Sequence, residues 1–170
     1  RITLLRTLNT LVPHEWYDND LFNDTTTILN EALLGIDEPV TIYRARKVGQ
    51  PIAAVLTPIA PDGYNGRIYL LVAINYEGVL IGVRVLSHQE TPGLGDKIEL
   101  RRSNWILGFN GRSLINPKAT NWKVKRDDGV FDQLTSATIT PRAIVKAVYK
   151  TLLFYQQSRD KIFKEKKNSD

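Results

Sequence analysis

The sequence predicts an α+β fold in which helices pack against a twisted, mainly antiparallel β-sheet. Three observations support this prediction. The apolar segments Val40–Lys47 and Ile52–Leu56 are separated by a short turn containing glycine and indicate a hairpin. Arg67–Asn75 and Gly78–Leu86 indicate a second pair of strands. An amphipathic helix is predicted from Thr140 to about Gln157, with apolar residues at helical spacing.

The segment Arg67–Asn75 is the most apolar of the predicted strands. Apolar side chains occupy both of its faces, because Ile68 and Leu70 alternate with Tyr69 and Leu71. A strand that is apolar on both faces is covered on both sides, so we expect it at the centre of the sheet.

The remaining predicted elements have weaker signals. Their apolar spacing and their turn residues fix approximate bounds. In chain order, we expect a helix from Ile2 that ends at Pro13, a helix around Ile28–Leu34 stopped by Gly35, a loop at Pro58–Gly66, a helix around Asp96–Asn104, and strands near Asn121–Lys125 and Gly129–Phe131.

The composition excludes several kinds of site. The chain has 170 residues, of which 42% are hydrophobic and 24% charged, as in ordinary globular proteins. It has no cysteine, so disulfides and thiol catalysis are excluded. His14 and His88 are far apart in the sequence, so we expect no metal site. The net charge of +5 favours anionic partners, but basic and aromatic residues are not interleaved, so we expect no nucleic-acid partner.

The start of the last helix is the first candidate site. Thr140 is suited to cap the helix, and Pro141 to its first position. Four of the six residues from Thr135 to Thr140 carry hydroxyl groups, and the first turn carries Arg142 but no acidic residue. This pattern suits a bound anion such as phosphate. An N-cap beside a solvated loop explains the same residues, so the pattern alone leaves both interpretations open.

The second candidate site is the loop Ser87–Asp96. Its Pro92-Gly93 pair indicates a tight turn, and Gly95 permits a close approach of the backbone. Such a loop can lie against a flat ligand and offer N–H groups to it. On local evidence it can equally be a plain connection between two elements.

Taken together, the two stretches resemble a known family. Ser87–Ile98, which contains Thr-Pro-Gly-Leu-Gly-Asp, and Phe131–Ala143, which contains Asp-Gln-Leu-Thr-Ser-Ala-Thr, are similar to the signatures of the G subunit of the Rnf (also called Rsx) ion-translocating electron transport complex. Its relative in another complex is the C subunit of the sodium-pumping NADH:quinone oxidoreductase. Pro61–Gly66 matches a third block of the family. The resemblance extends from about Val40 to Leu153.

The resemblance implies a flavoprotein that carries FMN covalently. The family's attachment motif is Asp-x-x-Ser/Thr-Gly-Ala-Thr, and Asp132, Thr135, Ala137 and Thr138 match it. The hydroxyl of Thr138 would then form the phosphoester with FMN. Ser136 replaces the glycine of the motif, and glycine permits the closest approach of the backbone.

The resemblance also implies further contacts with the cofactor. The loop would lie against the isoalloxazine or the ribityl chain through Glu90, Thr91, Leu94 and Gly95. Arg142 would lie near the phosphate, beside the motif residues Thr135, Ser136 and Ala137. A separate flavin transferase makes the bond, so we expect no catalytic residue and no activating base for Thr138 within this chain.

Organisation and location follow from the same resemblance. The chain begins at Arg1 and contains no methionine, so we expect a missing preceding segment that holds the family's membrane anchor. We expect a helix and stalk over residues 1–25, an FMN-binding domain over residues 26–157, and a polar basic tail over residues 158–170. The domain would face the periplasm at a bacterial inner membrane, with the other subunits of the Rnf complex as partners.

We therefore expect an electron-transfer subunit of an ion-translocating complex that moves electrons between NADH and ferredoxin. Such a subunit would act within a translocase and not as an enzyme on its own. Two alternatives stay open. A structural or regulatory periplasmic subunit without flavin is one, and Ser136 motivates it. An enzyme that binds FMN reversibly and reduces small molecules is the other.

Overall fold

The computed structural model describes residues 2–135 and 137–164. The predicted motif residue Ser136 therefore lies outside the described residues. In chain order, the helices and strands are α1 Ile2–Leu11, β1 Thr25–Ile28, α2 Glu31–Leu34, β2 Val40–Lys47, β3 Gln50–Leu56, β4 Ile59–Gly63, β5 Gly66–Asn75, β6 Leu80–Ser87 and α3 Ile139–Ile162.

All six strands belong to one antiparallel sheet, which confirms the predicted α+β class. β1 pairs with β2, and β2 with β3. β3 and β4 follow each other along one edge of β5, where Leu56 is opposite Val72 and Ile59 is opposite Tyr69. β6 pairs with the other edge of β5.

β5 lies at the centre of the sheet, as its two apolar faces predict. Its alternate residues enter two separate clusters of buried side chains, because successive side chains of a strand point to opposite faces. Leu70 and Val72 belong to the larger cluster, together with Val148 of α3. Leu71 and Ala73 belong to the smaller cluster, which also contains α1. The sheet is thus covered by α3 on one face and by α1 on the other.

α3 is longer than predicted at both ends. It begins at Ile139, with Thr138 as its N-cap, so Thr140 and Pro141 lie inside its first turn. Proline is tolerated there because the first N–H groups of a helix have no acceptor within it. At the other end α3 continues past Gln157 to Ile162, whose carbonyl accepts a 3.1 Å hydrogen bond from Nη1 of Arg44.

Three further expectations are wrong in detail. The loop predicted at Pro58–Gly66 contains β4, because its proline and glycine residues fit an extended segment that pairs only at one side. Ile28 ends β1, and the predicted helix is reduced to α2 before Gly35, whose φ of 85° ends it. The strands predicted near 121–125 and 129–131 amount to a single bridge between Val124 and Phe131.

The helix predicted at Asp96–Asn104 is also wrong. A short 3₁₀ segment, Gly95–Ile98, occupies this place and is followed by turns. The carboxylate of Asp96 accepts a 3.0 Å hydrogen bond from the N–H of Gly93 and lies 3.2 Å from Nε of Arg102. These contacts hold the backbone in a compact turn. Within the described residues, no helix has both the length and the apolar character that crossing a membrane requires.

Candidate functional site

Two pockets meet at Thr138, the residue that precedes α3. The loop pocket, about 590 Å³, lies between the loop after β6 and the start of α3, and is lined by Tyr64, Thr91, Leu94, Gly95, Arg126, Ala137, Thr138, Ile139, Thr140 and Arg142. The indole pocket, about 690 Å³, is lined by Lys97, Ser103, Asn104, Trp105, Gly108, Lys125, Arg126, Asp132, Gln133, Leu134, Thr135 and Thr138. Thr138 and Arg126 line both pockets.

The hydroxyl group of Thr138 makes no hydrogen bond to the described residues. Thr138 is the N-cap of α3, yet its side chain makes no capping hydrogen bond. Its carbonyl accepts a 3.1 Å hydrogen bond from the N–H of Arg142, which fixes the backbone and leaves the side chain half-buried at the pockets. In the part of the chain that the structure describes, this hydroxyl has no hydrogen-bond partner. A substituent on it can extend into either pocket.

The start of α3 favours negative charge beside Thr138. The N–H groups of Ile139 and Thr140 have no acceptor within the helix, and the helix dipole places about half a positive charge at this end. The first turn contains no acidic residue that would neutralise this charge. An anion attached to the Thr138 hydroxyl therefore lies in a favourable field.

Glu90 fixes the wall of the loop pocket from behind. Its side chain is buried, at 4% exposure, and is not among the groups that line the pocket. Its two carboxylate oxygens accept hydrogen bonds from the N–H groups of Tyr64 and Asn65, each at 2.9 Å. Oε1 also accepts a hydrogen bond from the hydroxyl of Thr140. Glu90 thus joins the turn between β4 and β5 to the first turn of α3.

Gly95 allows the loop to pack against this network. A Cβ atom at position 95 would lie 2.9 Å from Cβ of Glu90 and 2.9 Å from Oγ1 of Thr140. Real Cβ atoms do not approach other atoms so closely, so any side chain here would displace the loop or the helix. The structure therefore requires glycine at this wall of the pocket.

His88 supports the same loop. Its Nδ1 accepts a 2.9 Å hydrogen bond from the N–H of Glu90, so the ring proton lies on Nε2, 2.5 Å from Oε2 of Glu99. Burial alone would raise the pKa of Glu99, but hydrogen bonds from Arg101 and His88 outweigh it and lower that pKa. His88 thus supports the loop through hydrogen bonds to Glu90 and Glu99.

Arg142 is already paired. Its Nε and Nη2 donate hydrogen bonds to Oδ2 and Oδ1 of Asp127, both at 2.8 Å. The hydrogen bond from Arg142 lowers the pKa of Asp127, and the same contact raises the pKa of Arg142. Arg142 lines the loop pocket, but its charge is largely compensated by Asp127.

The structure brings most of the predicted residues together around Thr138. Thr91, Leu94, Gly95, Ala137 and Arg142 line the loop pocket, whereas Thr135 lines the indole pocket. Sequence reasoning missed Trp105 and Arg126 as lining residues and did not include Tyr64 among the site residues. Tyr64 belongs to the third matching block and could have been found from the sequence, but nothing in the sequence marked Trp105 or Arg126.

Comparison with known proteins places the same region in a family. Residues 63–153 match the model of the FMN-binding domain, a range that contains both candidate stretches. The chain is also similar to proteins named as the G subunit of an ion-translocating oxidoreductase complex. The one from Pseudoalteromonas atlantica is 52% identical over 95% of this chain and 75% of its own length. Those from Shewanella amazonensis and Vibrio cholerae are 49% and 50% identical over 96% and 94% of this chain, and 76% of each of their own lengths.

Proposed function

The chain belongs to the family of G subunits of ion-translocating oxidoreductase complexes and contains the FMN-binding domain of that family, and we propose that it is an electron-transfer subunit with FMN linked covalently to Thr138. FMN is the cofactor of this domain. The single observation that carries the proposed linkage is the Thr138 hydroxyl, which has no hydrogen-bond partner in the described residues and opens onto two pockets.

The residues around Thr138 fit the chemistry of FMN. The phosphate end is anionic, and the start of α3 supplies N–H groups and a positive dipole for it. The loop pocket, at about 590 Å³, has a size typical of small-molecule sites. Its wall presents the exposed side chains of Tyr64 and Leu94 as surfaces for a flat ring. FMN supplies the ability to accept and pass on electrons when it is bound.

The chain's own residues have positioning roles in this proposal. Thr138 would hold the phosphoester, in which its side-chain oxygen takes the place of one oxygen of the FMN phosphate. Gly95 and Glu90 hold the loop wall beside α3. Thr135 and Trp105 form the wall of the neighbouring indole pocket. We assign no catalytic residue, because a separate flavin transferase makes the bond.

We propose the same setting for this chain as the family implies. It is part of a membrane-bound, ion-translocating complex that moves electrons between NADH and ferredoxin. Its flavin domain faces the periplasm, a membrane anchor precedes residues 1–25, and the other subunits of the complex are its partners. The name shared by the relatives supports the complex, and the resemblance supports the orientation.

Coexpression with a flavin transferase tests the linkage. We expect the intact mass of the purified protein to rise by that of FMN less one water. Thr138→Ala abolishes the increment, whereas the control Thr120→Ala, which changes an exposed threonine outside the motif and both pockets, retains it. An unmodified wild-type chain contradicts the proposal and supports a structural or regulatory subunit without flavin.

Acid precipitation of the same sample separates covalent from reversible binding. Covalent flavin stays with the precipitated protein. Flavin that is released into the supernatant contradicts the linkage and supports an enzyme that binds FMN reversibly.

A further inference from the structure

We propose that Arg126, and not Arg142, is the cation that binds the flavin phosphate at Thr138. This inference rests on the proposed function, because it assigns a partner to the anion that Thr138 would carry. Arg126 lies in the short 3₁₀ segment Lys125–Asp127, outside both stretches that identify the family. It was not predicted from the sequence.

The ion pairs around the two pockets leave few cations available. Lys97, Lys125, Arg126 and Arg142 are the basic residues that line one or both of them. Nζ of Lys125 lies 2.7 Å from Oδ1 of Asp132, and Arg142 binds both carboxylate oxygens of Asp127. Lys97 and Arg126 form no ion pair with a carboxylate among residues 2–135 and 137–164.

Of these two cations, Arg126 is better placed than Lys97 to contact a group on Thr138. Lys97 lines the indole pocket alone, whereas Arg126 and Thr138 both line the two pockets and thus lie at their junction. The backbone N–H of Arg126 donates a 3.3 Å hydrogen bond to Oε1 of Gln133, which ties its segment to the attachment motif. Arg126 therefore lies where an anion on Thr138 needs a counter-charge.

The chemistry of the two partners matches. A phosphoester to Thr138 is a singly charged diester, and a phosphate monoester such as free FMN carries more charge. A guanidinium group offers several N–H donors in a plane that matches phosphate oxygens. Together with the helix N-terminus, Arg126 places positive charge on two sides of the anion.

Reversible binding to Thr138→Ala protein tests this assignment without the transferase. FMN and riboflavin, which lacks the phosphate, are titrated against Thr138→Ala and its combination with Arg126→Gln, with flavin fluorescence as the signal. We expect Arg126→Gln to weaken FMN binding about three- to tenfold, as for loss of one charge-assisted contact, and to leave riboflavin binding unchanged. Arg126→Lys restores part of the affinity for FMN.

Two further variants make the assignment specific. Lys123→Gln removes an exposed positive charge outside both pockets and is expected to change neither affinity. Asp127→Asn with Arg142→Gln removes the neighbouring ion pair as a whole and is expected to weaken FMN binding less than Arg126→Gln does. Equal losses for FMN and riboflavin in Arg126→Gln, or a larger loss on removal of the ion pair, would overturn the assignment.

A measurement on flavinylated protein covers the case in which Thr138→Ala binds free FMN too weakly to titrate. The ³¹P resonance of the phosphodiester is compared between wild type and Arg126→Gln, with Lys123→Gln as control. We expect a shift only in Arg126→Gln, and an unchanged resonance would refute the inference. Failure of wild-type protein to gain flavin would instead refute the proposed function, so the two failures are distinguishable.

Discussion

The hydroxyl of Thr140 donates a hydrogen bond to Oε1 of Glu90. This contact joins the first turn of α3 to the loop after β6, across 50 positions of sequence. Both residues are buried, and the same carboxylate accepts two N–H groups from the turn between β4 and β5. One buried carboxylate thus holds together three segments that surround Thr138.

We predict that Thr140→Val destabilises the protein. Valine has the shape of threonine but cannot donate to Glu90, so a buried carboxylate loses one of its three hydrogen bonds. The expected decrease in the free energy of unfolding is about 1–3 kcal/mol, as for a buried hydrogen bond to a charged group. Urea denaturation measures it, and the exposed Thr135→Val is the control. Equal values for the two variants would show that the Glu90 contact is unimportant.

A second prediction concerns Gly95. Gly95→Ala introduces a Cβ atom 2.9 Å from atoms of both Glu90 and Thr140, so we expect a loss of about 1–3 kcal/mol, as for overpacking. Gly108→Ala is the matched control, because a Cβ there has no atom within 4 Å. Thermal or urea unfolding compares the two. If Gly95→Ala is as stable as Gly108→Ala, the loop does not pack against α3 as described.

The third prediction concerns the far end of α3. The guanidinium of Arg44, with its side chain 5% exposed, binds Asp24 and donates to the carbonyls of Ile162 and Thr25. Arg44→Met leaves Asp24 and these carbonyls without this donor, so we expect a loss of about 3–5 kcal/mol. Arg101→Gln, which breaks a pair whose arginine is 75% exposed, is expected to cost far less, because water screens an exposed ion pair. Comparable losses in urea denaturation would contradict the structural role of Arg44.

A fourth prediction concerns alkaline pH. Burial raises the pKa of Tyr155 well above its ordinary value, and its hydroxyl donates a 2.7 Å hydrogen bond to the carbonyl of Tyr76. A raised pKa in the folded state means that the stabilisation is complete below the unfolded value of about 10 and is lost as the pH rises above it. Tyr155→Phe should therefore reduce the dependence of unfolding free energy on pH above about 10. If the pH dependence of the unfolding free energy is the same in Tyr155→Phe and wild type, groups other than Tyr155 cause it.

The strands with strong apolar patterns were predictable from the sequence, because the apolar residues that they bury are close together along the chain. β2 has the predicted bounds, and β5 begins one residue before the predicted Arg67. β4 was missed because its proline and glycine residues are typical of loops, and only pairing with β5 keeps it extended. The helix at Asp96–Asn104 was predicted wrongly because contacts of Asp96 with Gly93 and Arg102 favour a turn over a helix.

The motif residues of the candidate site were predictable from the sequence, but the ion pairs around them were not. Thr138 and the Thr91–Gly95 loop lie together as the two stretches suggested. Asp127 lies 15 positions before Arg142, and nothing in the spacing showed that the two would pair and compensate each other. Arg126 is one basic residue among 23 in the chain, so only its place between the two pockets distinguishes it.

Peptide mapping by tandem mass spectrometry, on protein coexpressed with a flavin transferase, tests the central claim most directly. The proposed function predicts that the added mass of FMN less one water is carried by Thr138 within the peptide that spans the start of α3. An increment on Thr135 or Ser136, or a peptide without any increment, would contradict it.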